Sequence, residues 1–447
     1  MDHALNYRVH SFGCKVNTYD TGLLQKNLGA AGFQSSAEDG GPRIHVLNTC
    51  AVTAEATKEA VRLIRRLKAR DPFCTVVVTG CAAQVDTGSF ENLPGADLVV
   101  ANSHKGQLPE LLSRYFKKTL DGRVFKSNIF RKEDLEAGGG VEKHHTRTFL
   151  KIQDGCNSFC TYCVIPFARG KSRSIPVMDL VARVRELEVQ GAREIVLTGV
   201  HIGDYEDDTQ PGRKLALEDL LEHLLAKTAV PRFRLSSLEP VEVTERLLDL
   251  YQNPRMCPHF HMSIQSANTE VLAKMKRKYT QEDVKNSLLR IRERVPGAFV
   301  GMDVIVGFPT ESEEQFLDTV ACLRSLPWTR LHVFPYSERP GTRAAAYEES
   351  VYPHERARRA AVLRDMSLRR HEGEARTQIG SLKKVLVLNQ ASKGGESLSR
   401  DYWPVAIPEA EAFLDHWRGQ EIEVRVTGYR DAGKKGQDGL LVAEVLA

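Results

Sequence analysis

The sequence predicts an α/β protein built in three units: an N-terminal α/β domain with a parallel sheet, a central partial (β/α)6 barrel, and a small C-terminal all-β, OB-like barrel. Three observations carry this. Strand-like runs alternate with helix-like runs twice, across residues 6–116 and again from Phe149. A polar, Gly-rich stretch at residues 117–146, containing EAGGGVEKHHT, parts the two series and reads as a linker. Beyond an Arg-rich helical segment the pattern changes to short strands separated by Gly and charged turns. The 447 residues, at roughly 150 per domain, agree with about three units.

Taken in order, YRVHSF, IHVLNT, TVVVTG and ADLVVA read as strands of the first unit, with DTGLLQKNLGAAGF and AEATKEAVRLIRRLKA as helices between them. FLKIQ, EIVLTG, FRLSS, HMSIQ, MDVIVG and LHVFPY are six further strands, each followed by a helix or loop. That is the pattern of a barrel or partial barrel, with ligand chemistry at the carboxyl ends of the strands. Residues 353–376 form the Arg-rich helix. KKVLVLN, DYWPVAI, EIEVRVTGYR and LLVAEVL then supply the C-terminal barrel. The expected domain bounds are 5–117, 142–372 and 376–447.

Composition narrows the function classes. Hydrophobic residues make up 42% and charged residues 27%, enough apolar mass for sizeable cores. The formal net charge of +4 permits a nucleic-acid partner without demanding one. MDHALNYRVHSFGCK has no apolar stretch of signal-peptide length, and no run approaches the ~20 residues needed to span a bilayer. A cytoplasmic protein with no membrane partner is expected. Its nine cysteines are then reduced, which favours metal or catalysis over disulfides.

Two cysteine sets stand out. Cys156, Cys160 and Cys163, in DGCNSFCTYCVIP, follow the first barrel strand with no fourth Cys or His close behind. Three thiolates on a cubane cluster leave one iron open for a ligand. The competing reading is a zinc knuckle completed by His144 or His145. Cys14, Cys50 and Cys81 each lie at or just past the carboxyl end of a strand of the first sheet. Parallel strands bring such ends to one edge, so these three thiols can meet around a second cluster. The bland alternative is three unrelated buried cysteines. Cys74, Cys257 and Cys322 have no such placement and read as ordinary core or surface residues.

The three-Cys motif resembles that of the radical S-adenosylmethionine (SAM) enzymes, and the chain as a whole resembles their methylthiotransferase family. The likeness runs through GCKVN (Gly13 to Asn17), NTCAVT, TGCAAQ, RGKSRS, LTGVHIGDY, RLSSLEP, HMSIQSANTEVLAKMKRKYT, DVIVGFPTESEEQF and FPYSERPGTRAA, in the family's order. GCKVN is similar to the branch acting on N6-threonylcarbamoyladenosine, where the isopentenyladenosine branch reads GCQMN and the ribosomal-protein branch GCPKN. One departure stands out: Thr310 occupies the place of a glycine in the family's GFPGET.

The resemblance implies a radical SAM enzyme that methylthiolates C2 of N6-threonylcarbamoyladenosine at position 37 of tRNA, next to the anticodon. It implies two 4Fe–4S clusters and SAM as cofactors, with Cys156, Cys160 and Cys163 holding the SAM-binding cluster. Cys14, Cys50 and Cys81 would hold the one that carries sulfur. One SAM would methylate that sulfur and a second would supply the radical. It further implies SAM contacts from Tyr162 near the adenine, from Thr198 and Gly199 at the end of the second strand, from Ser236, Ser237 and Glu239 at the third, and from Gln265 at the fourth. Arg173 is a candidate partner for a carboxylate. For each polar residue the alternative is a satisfied loop side chain. A sulfur donor and an electron donor such as flavodoxin or ferredoxin are the further partners.

For RNA, Arg356, Arg358, Arg359, Arg364, Arg369, Arg370 and Arg376 crowd one helix, and Lys58, Arg62, Arg65, Arg66, Lys68 and Arg70 another. Either helix can track phosphates, although a solvated face with ion pairs is the commoner use of such residues. The C-terminal barrel resembles the TRAM domain, an RNA-binding module. Trp403 and Tyr429 are candidates for base stacking or for core, with core favoured for Trp403. The rival functions are methylthiolation of isopentenyladenosine tRNA or of a ribosomal-protein Asp, an iron–sulfur electron carrier, and a non-enzymatic iron–sulfur RNA-binding protein.

Overall fold

The computed structural model describes residues 5–36, 43–132, 135, 146–392, 395–408, 415–431 and 438–446. Its first unit is a six-stranded, all-parallel sheet in the order Gln34–Ser35, Asn6–Ser11, Ile44–Thr49, Thr75–Gly80, Leu98–Ala101, Val124–Phe125. Helices cover both faces, so the central strands IHVLNT and TVVVTG are buried along their whole length. The two outermost strands are two-residue pairings, too short to show a period in sequence. The last of them lies beyond residue 117, so part of the expected linker belongs to the sheet.

The second unit has the six expected strands. Arg147–Lys151, Glu194–Thr198 and Arg232–Leu235 form one parallel sheet, and Ser237–Leu238, His259–Gln265, Phe299–Val306 and Arg330–Pro335 a second. The third strand changes sheet at Ser236, which curves the assembly into a partial barrel. Its largest core fills the space between strands and outer helices, and Tyr19 of the N-terminal domain is part of that core.

The third unit is a closed five-stranded barrel, in the order Leu382–Ser392, Gly395–Ser399, Pro404–Ala406, Leu440–Val445, Glu421–Arg430. Sequence periodicity missed Gly395–Ser399, a short strand of largely small and polar residues. This barrel docks on the first residues of the strands of the central unit. Arg232 and Arg234 are fully buried there. Arg232 donates to Glu194 at 2.8 Å, to Glu421 at 3.0 Å and to the Ser399 carbonyl at 3.1 Å, and Arg234 to the Arg400 carbonyl at 3.0 Å. Burial pushes the Glu194 carboxyl up, and Arg147, Arg234 and Arg232 outweigh it, holding the group well below its ordinary value. Phe299 meets Trp403 edge to face at 5.0 Å. Trp403 is therefore core, as the sequence favoured.

The Arg-rich helix is Pro353–Arg376. Several of its arginines are tied to the strands and loops beneath. Arg356 reaches the Tyr336 carbonyl and Glu338, Arg359 reaches Glu311 and Glu313, Arg364 the Val333 carbonyl, and Arg370 the Leu326 carbonyl. The helix braces the strands beneath it, while Arg358, Arg364, Arg369 and Arg376 stay exposed on its surface. Among the described residues no helix is long and apolar enough to cross a membrane.

Candidate functional site

The first triad is set by strand ends. Cys14 precedes the helix Lys15–Ala30, Cys50 follows the strand Ile44–Thr49, and Cys81 opens the helix Cys81–Val85 straight after the strand Thr75–Gly80. Two glycines make the approach possible. Gly13 has φ +91, and a Cβ on it would lie 2.5 Å from the Cys50 sulfur. Gly80 has φ +95, and its Cβ would lie 2.4 Å from the Thr49 carbonyl oxygen. Each needs both the left-handed backbone and the missing side chain.

The thiols feel one another. Burial pushes Cys50 up to about 12, with Cys81 and Cys14 adding to the shift. The Val52 amide donates to the Cys50 sulfur at 3.5 Å, and Asn102 donates to that of Cys81 at 3.6 Å.

The second triad follows the first barrel strand. Burial pushes Cys163 up to about 12 and raises Cys160. Cys156 goes the other way: burial opposes its ionisation, but hydrogen bonds from His201 and Ser158 bring it below the ordinary thiol value. His201 Nδ1 lies 3.9 Å from the Cys156 sulfur, and Nε2 is 2.5 Å from Glu242. Burial disfavours a charged imidazole here, yet Asp204, Cys156 and Glu242 hold His201 protonated. His144 and His145, the alternative ligands, lie outside the described residues. All nine cysteines are free thiols.

At each site one cysteine, Cys50 or Cys163, feels the other two electrostatically, and N–H donors reach sulfurs in both triads. Thiols at such sites become thiolates when a metal cation displaces their protons. The donor chemistry therefore fits a three-thiolate iron–sulfur cluster at each triad.

The short helix Ile165–Arg169 joins the two triads. It starts two residues after Cys163, and its Ala168 packs in one core with Cys81 and Ala82. Asn102, which touches the Cys81 sulfur, also donates to the Ala168 carbonyl at 2.9 Å. Arg169 ends the helix and is buried. It pairs with Asp154 at 2.9 Å and Asp20 at 3.0 Å, and donates to Asn17 at 2.6 Å. Lys151 completes this group against Asp20 at 2.7 Å and Asp154 at 3.0 Å. Burial pushes both carboxyls up, but the cations outweigh it and keep Asp20 and Asp154 well below their ordinary values.

Several expected SAM contacts gather beside Cys160. Arg277 donates to the Tyr162 hydroxyl at 2.6 Å and pairs with Glu239. Both Arg277 and Glu239 act electrostatically on Cys160. Ser236 is buried, and its hydroxyl has no partner among the described residues. Ser237 is half-buried on the next short strand. Thr198 is buried at the end of its strand with its carbonyl accepting from Ile152, and Gly199 follows it. Gln265 ends the fourth strand with φ +59. Arg173 lies elsewhere. It lines a cavity of about 60 Å³ between the domains with Asp20, Lys151 and Asp154, and donates to the carbonyls of Arg169 and Lys171.

Sequence reasoning missed His201, Arg277 and Gln153. The side-chain carbonyl of Gln153 accepts from the amides of Val200 and His201 at 3.0 and 2.9 Å, tying the first two strand-end loops together. The signals that could have found them are the position of Gln153 at the end of FLKIQ and the places of His201 in LTGVHIGDY and Arg277 in HMSIQSANTEVLAKMKRKYT.

Comparison with known proteins bears on this geometry. The profile of the Radical SAM superfamily matches residues 150–323, and that of Uncharacterized protein family UPF0004 matches residues 6–101. The threonylcarbamoyladenosine tRNA methylthiotransferase MtaB of Aquifex aeolicus is 33% identical over 426 residues, covering 95% of this chain and 97% of that protein. The protein of the same name from Bacillus subtilis is 34% identical, covering 83% and 82%. A tRNA-2-methylthio-N(6)-dimethylallyladenosine synthase from Sphingopyxis alaskensis is 29% identical, covering 95% and 96%. Among solved structures, the radical SAM methyltransferase TsrM from Kitasatospora setae superposes with a TM-score of 0.53 at 16% identity, covering 74% of this chain and 73% of that one; this is a likeness of fold. With both profiles falling on the two cysteine-bearing units and relatives matching nearly end to end, the chain belongs to the radical SAM methylthiotransferase family, as an MtaB-like enzyme using 4Fe–4S clusters and SAM.

Proposed function

We propose that this enzyme methylthiolates C2 of N6-threonylcarbamoyladenosine at position 37 of tRNA. The observation that carries the reading is the pair of three-cysteine sites joined by one five-residue helix, Ile165–Arg169. Two clusters that must act on the same carbon need such a shared support. The names of the relatives at 33% and 34% identity support the choice of substrate, as does GCKVN.

C2 of adenine is an unactivated C–H, and SAM on a reduced cluster supplies a radical able to remove its hydrogen. The protein's part is positioning. Cys156, Cys160 and Cys163 hold the SAM-binding cluster; Cys14, Cys50 and Cys81 hold the sulfur-carrying one. Arg277 fixes Tyr162 and Glu239 where SAM lies. The unpartnered Ser236 hydroxyl, with Ser237, Gln265, Thr198 and Gly199, supplies polar contacts to it, and Arg173 stiffens the loop after the cluster motif. Residues 5–117, 142–372 and 376–447 act as sulfur-cluster, radical and RNA-holding units. A cytoplasmic setting, a sulfur donor and a flavodoxin- or ferredoxin-type reductant complete the reading.

The test replaces one cysteine of each triad in anaerobically reconstituted enzyme. Cys160→Ala abolishes both 5′-deoxyadenosine formation and methylthiolation. Cys81→Ala retains SAM cleavage but transfers no methylthio group. Normal methylthiolation by Cys81→Ala would show that the first triad does not carry the sulfur. Mass spectrometry of tRNA nucleosides from a deletion strain decides between threonylcarbamoyladenosine and isopentenyladenosine as the modified base.

A further inference from the structure

Three aromatic rings crowd the mouth of the second triad, and the radical chemistry uses none of them. Phe159, between Cys156 and Cys160, is 37% exposed, and Phe167, in the helix Ile165–Arg169, is 43% exposed. Phe130, in the turn Ile129–Arg131, is half-buried beside them. Phe130 stacks on Phe159 at 6.1 Å, and Phe167 stands edge-on to both, at 5.9 and 6.0 Å. Phe159 has φ +48, a left-handed backbone that is an outlier for a bulky side chain. Such conformations persist where the surroundings impose them, and they cluster at ligand sites.

Phe159 and Phe167 line a cleft of about 530 Å³ whose other walls are Cys160, Cys163 and the loop bearing Thr342 and Arg343. Arg343 is exposed and, among the described residues, has no carboxylate partner. Arg339, on the same loop but outside the cleft lining, is only 8% exposed and feels Cys50 and Asp86 electrostatically. The contrast with the next helix is sharp, because arginines there are largely spent on carbonyls and carboxylates. Apolar rings on one wall and the exposed Arg343 cation on the other match the two halves of a nucleotide.

We infer that this cleft is a nucleotide subsite: the base adjacent to the reacting adenosine stacks on Phe159 and Phe167, and Arg343 takes the flanking phosphate. The inference rests on the tRNA reading proposed for the enzyme and specifies how that RNA is gripped next to the chemistry. It also gives Phe159 a reason for its backbone, since the left-handed turn holds the ring at the cleft rather than in the core.

The experiment uses the full chain with both clusters reconstituted, and an RNA hairpin of anticodon-arm size. 2-Aminopurine replaces the base on the 5′ side of the target adenosine in one hairpin and on the 3′ side in another. Wild-type protein is expected to quench one of the two labels. Phe159→Leu and Phe167→Leu, each checked for iron content and melting temperature, are expected to bind roughly 5- to 150-fold more weakly and to lose the quench. Arg343→Gln is expected to reduce the slope of log affinity against log salt by about 0.7. If Phe159→Leu loses iron because it adjoins Cys160, Phe167→Leu, which lies outside the cysteine motif, decides the matter. Wild-type affinity and quenching in an iron-replete Phe167→Leu variant would overturn the subsite, as would a hairpin that binds wild-type protein with neither label quenched. A hairpin that wild-type protein does not bind at all would overturn the tRNA reading itself, and the subsite with it.

Discussion

Arg169 donates to the side-chain carbonyl of Asn17 at 2.6 Å, and this single bond crosses from the barrel to the N-terminal domain between the two cysteine triads. The amide of Asn17 donates in turn to the carbonyls of Phe12 at 2.8 Å and Thr49 at 3.0 Å, fixing the two loops that carry Cys14 and Cys50. Arg169 itself pairs with Asp154, two residues before Cys156. The asparagine of GCKVN and the first arginine of RGKSRS are thus one device.

Replacing Arg169 with Met should therefore destabilise the protein severely. The change leaves Asp20 and Asp154 buried against fewer cations, and breaking a buried ion pair costs about 3–5 kcal/mol. Urea unfolding at neutral pH is the measurement. Both carboxyls have folded values below their unfolded ones, so their contribution is complete above the unfolded aspartate pKa and is lost as pH falls through the folded value. The acid limb of the stability curve should be shallower in the variant than in wild type.

Gly13→Ala should empty the first triad while sparing the second. Its Cβ would collide with the Cys50 sulfur. Reconstituted protein is expected to carry about half the wild-type iron and to keep one cluster reducible by dithionite. Full iron loading would show that the loop can move aside.

Thr310 reports on the one departure from the family's loop. It adopts φ +70, the conformation a glycine would take, with its amide donating to the Glu349 carbonyl at 2.8 Å. A β-branched residue is strained there, and its hydroxyl has no partner among the described residues. Thr310→Gly should raise stability by about 0.5–1 kcal/mol, the relieved strain exceeding the added chain entropy. A lower melting temperature would contradict this.

His10 and His45, on neighbouring strands of the first sheet, place ring nitrogens 3.0 Å apart. Burial, helped by His45 and Arg8, pushes His10 down to about 4. The unfolded chain then binds a proton that the folded one does not, so stability is lost as pH falls from about 6.5 toward 4. Melting temperatures should drop across that window, and less steeply for His10→Gln. Equal slopes would remove His10 from the effect.

The cysteine clustering was legible because strand periodicity locates strand ends: a parallel sheet brings Cys14, Cys50 and Cys81 to one edge, while Cys156, Cys160 and Cys163 share a single loop. The same logic found Trp403 as core. It failed where one side chain acts alone. Periodicity says nothing of the work of Gln153, His201 and Arg277, which is fixed by partners distant in sequence, such as Glu242 for His201 and Tyr162 for Arg277. The arginines of 353–376 look like a basic face in composition, yet the backbone carbonyls they cap are invisible in sequence. Small and polar strands such as Gly395–Ser399 are held by barrel closure rather than by their own pattern.

The C-terminal barrel sits on the strand starts, with Arg232 against Ser399 and Phe299 against Trp403, whereas the cysteine loop leaves from a strand end. A seven-residue strand such as His259–Gln265 separates those two ends by about 23 Å. The seat of the C-terminal barrel and the cysteine loop are thus held a barrel's height apart, and that height sets the span any ligand touching both would have to bridge.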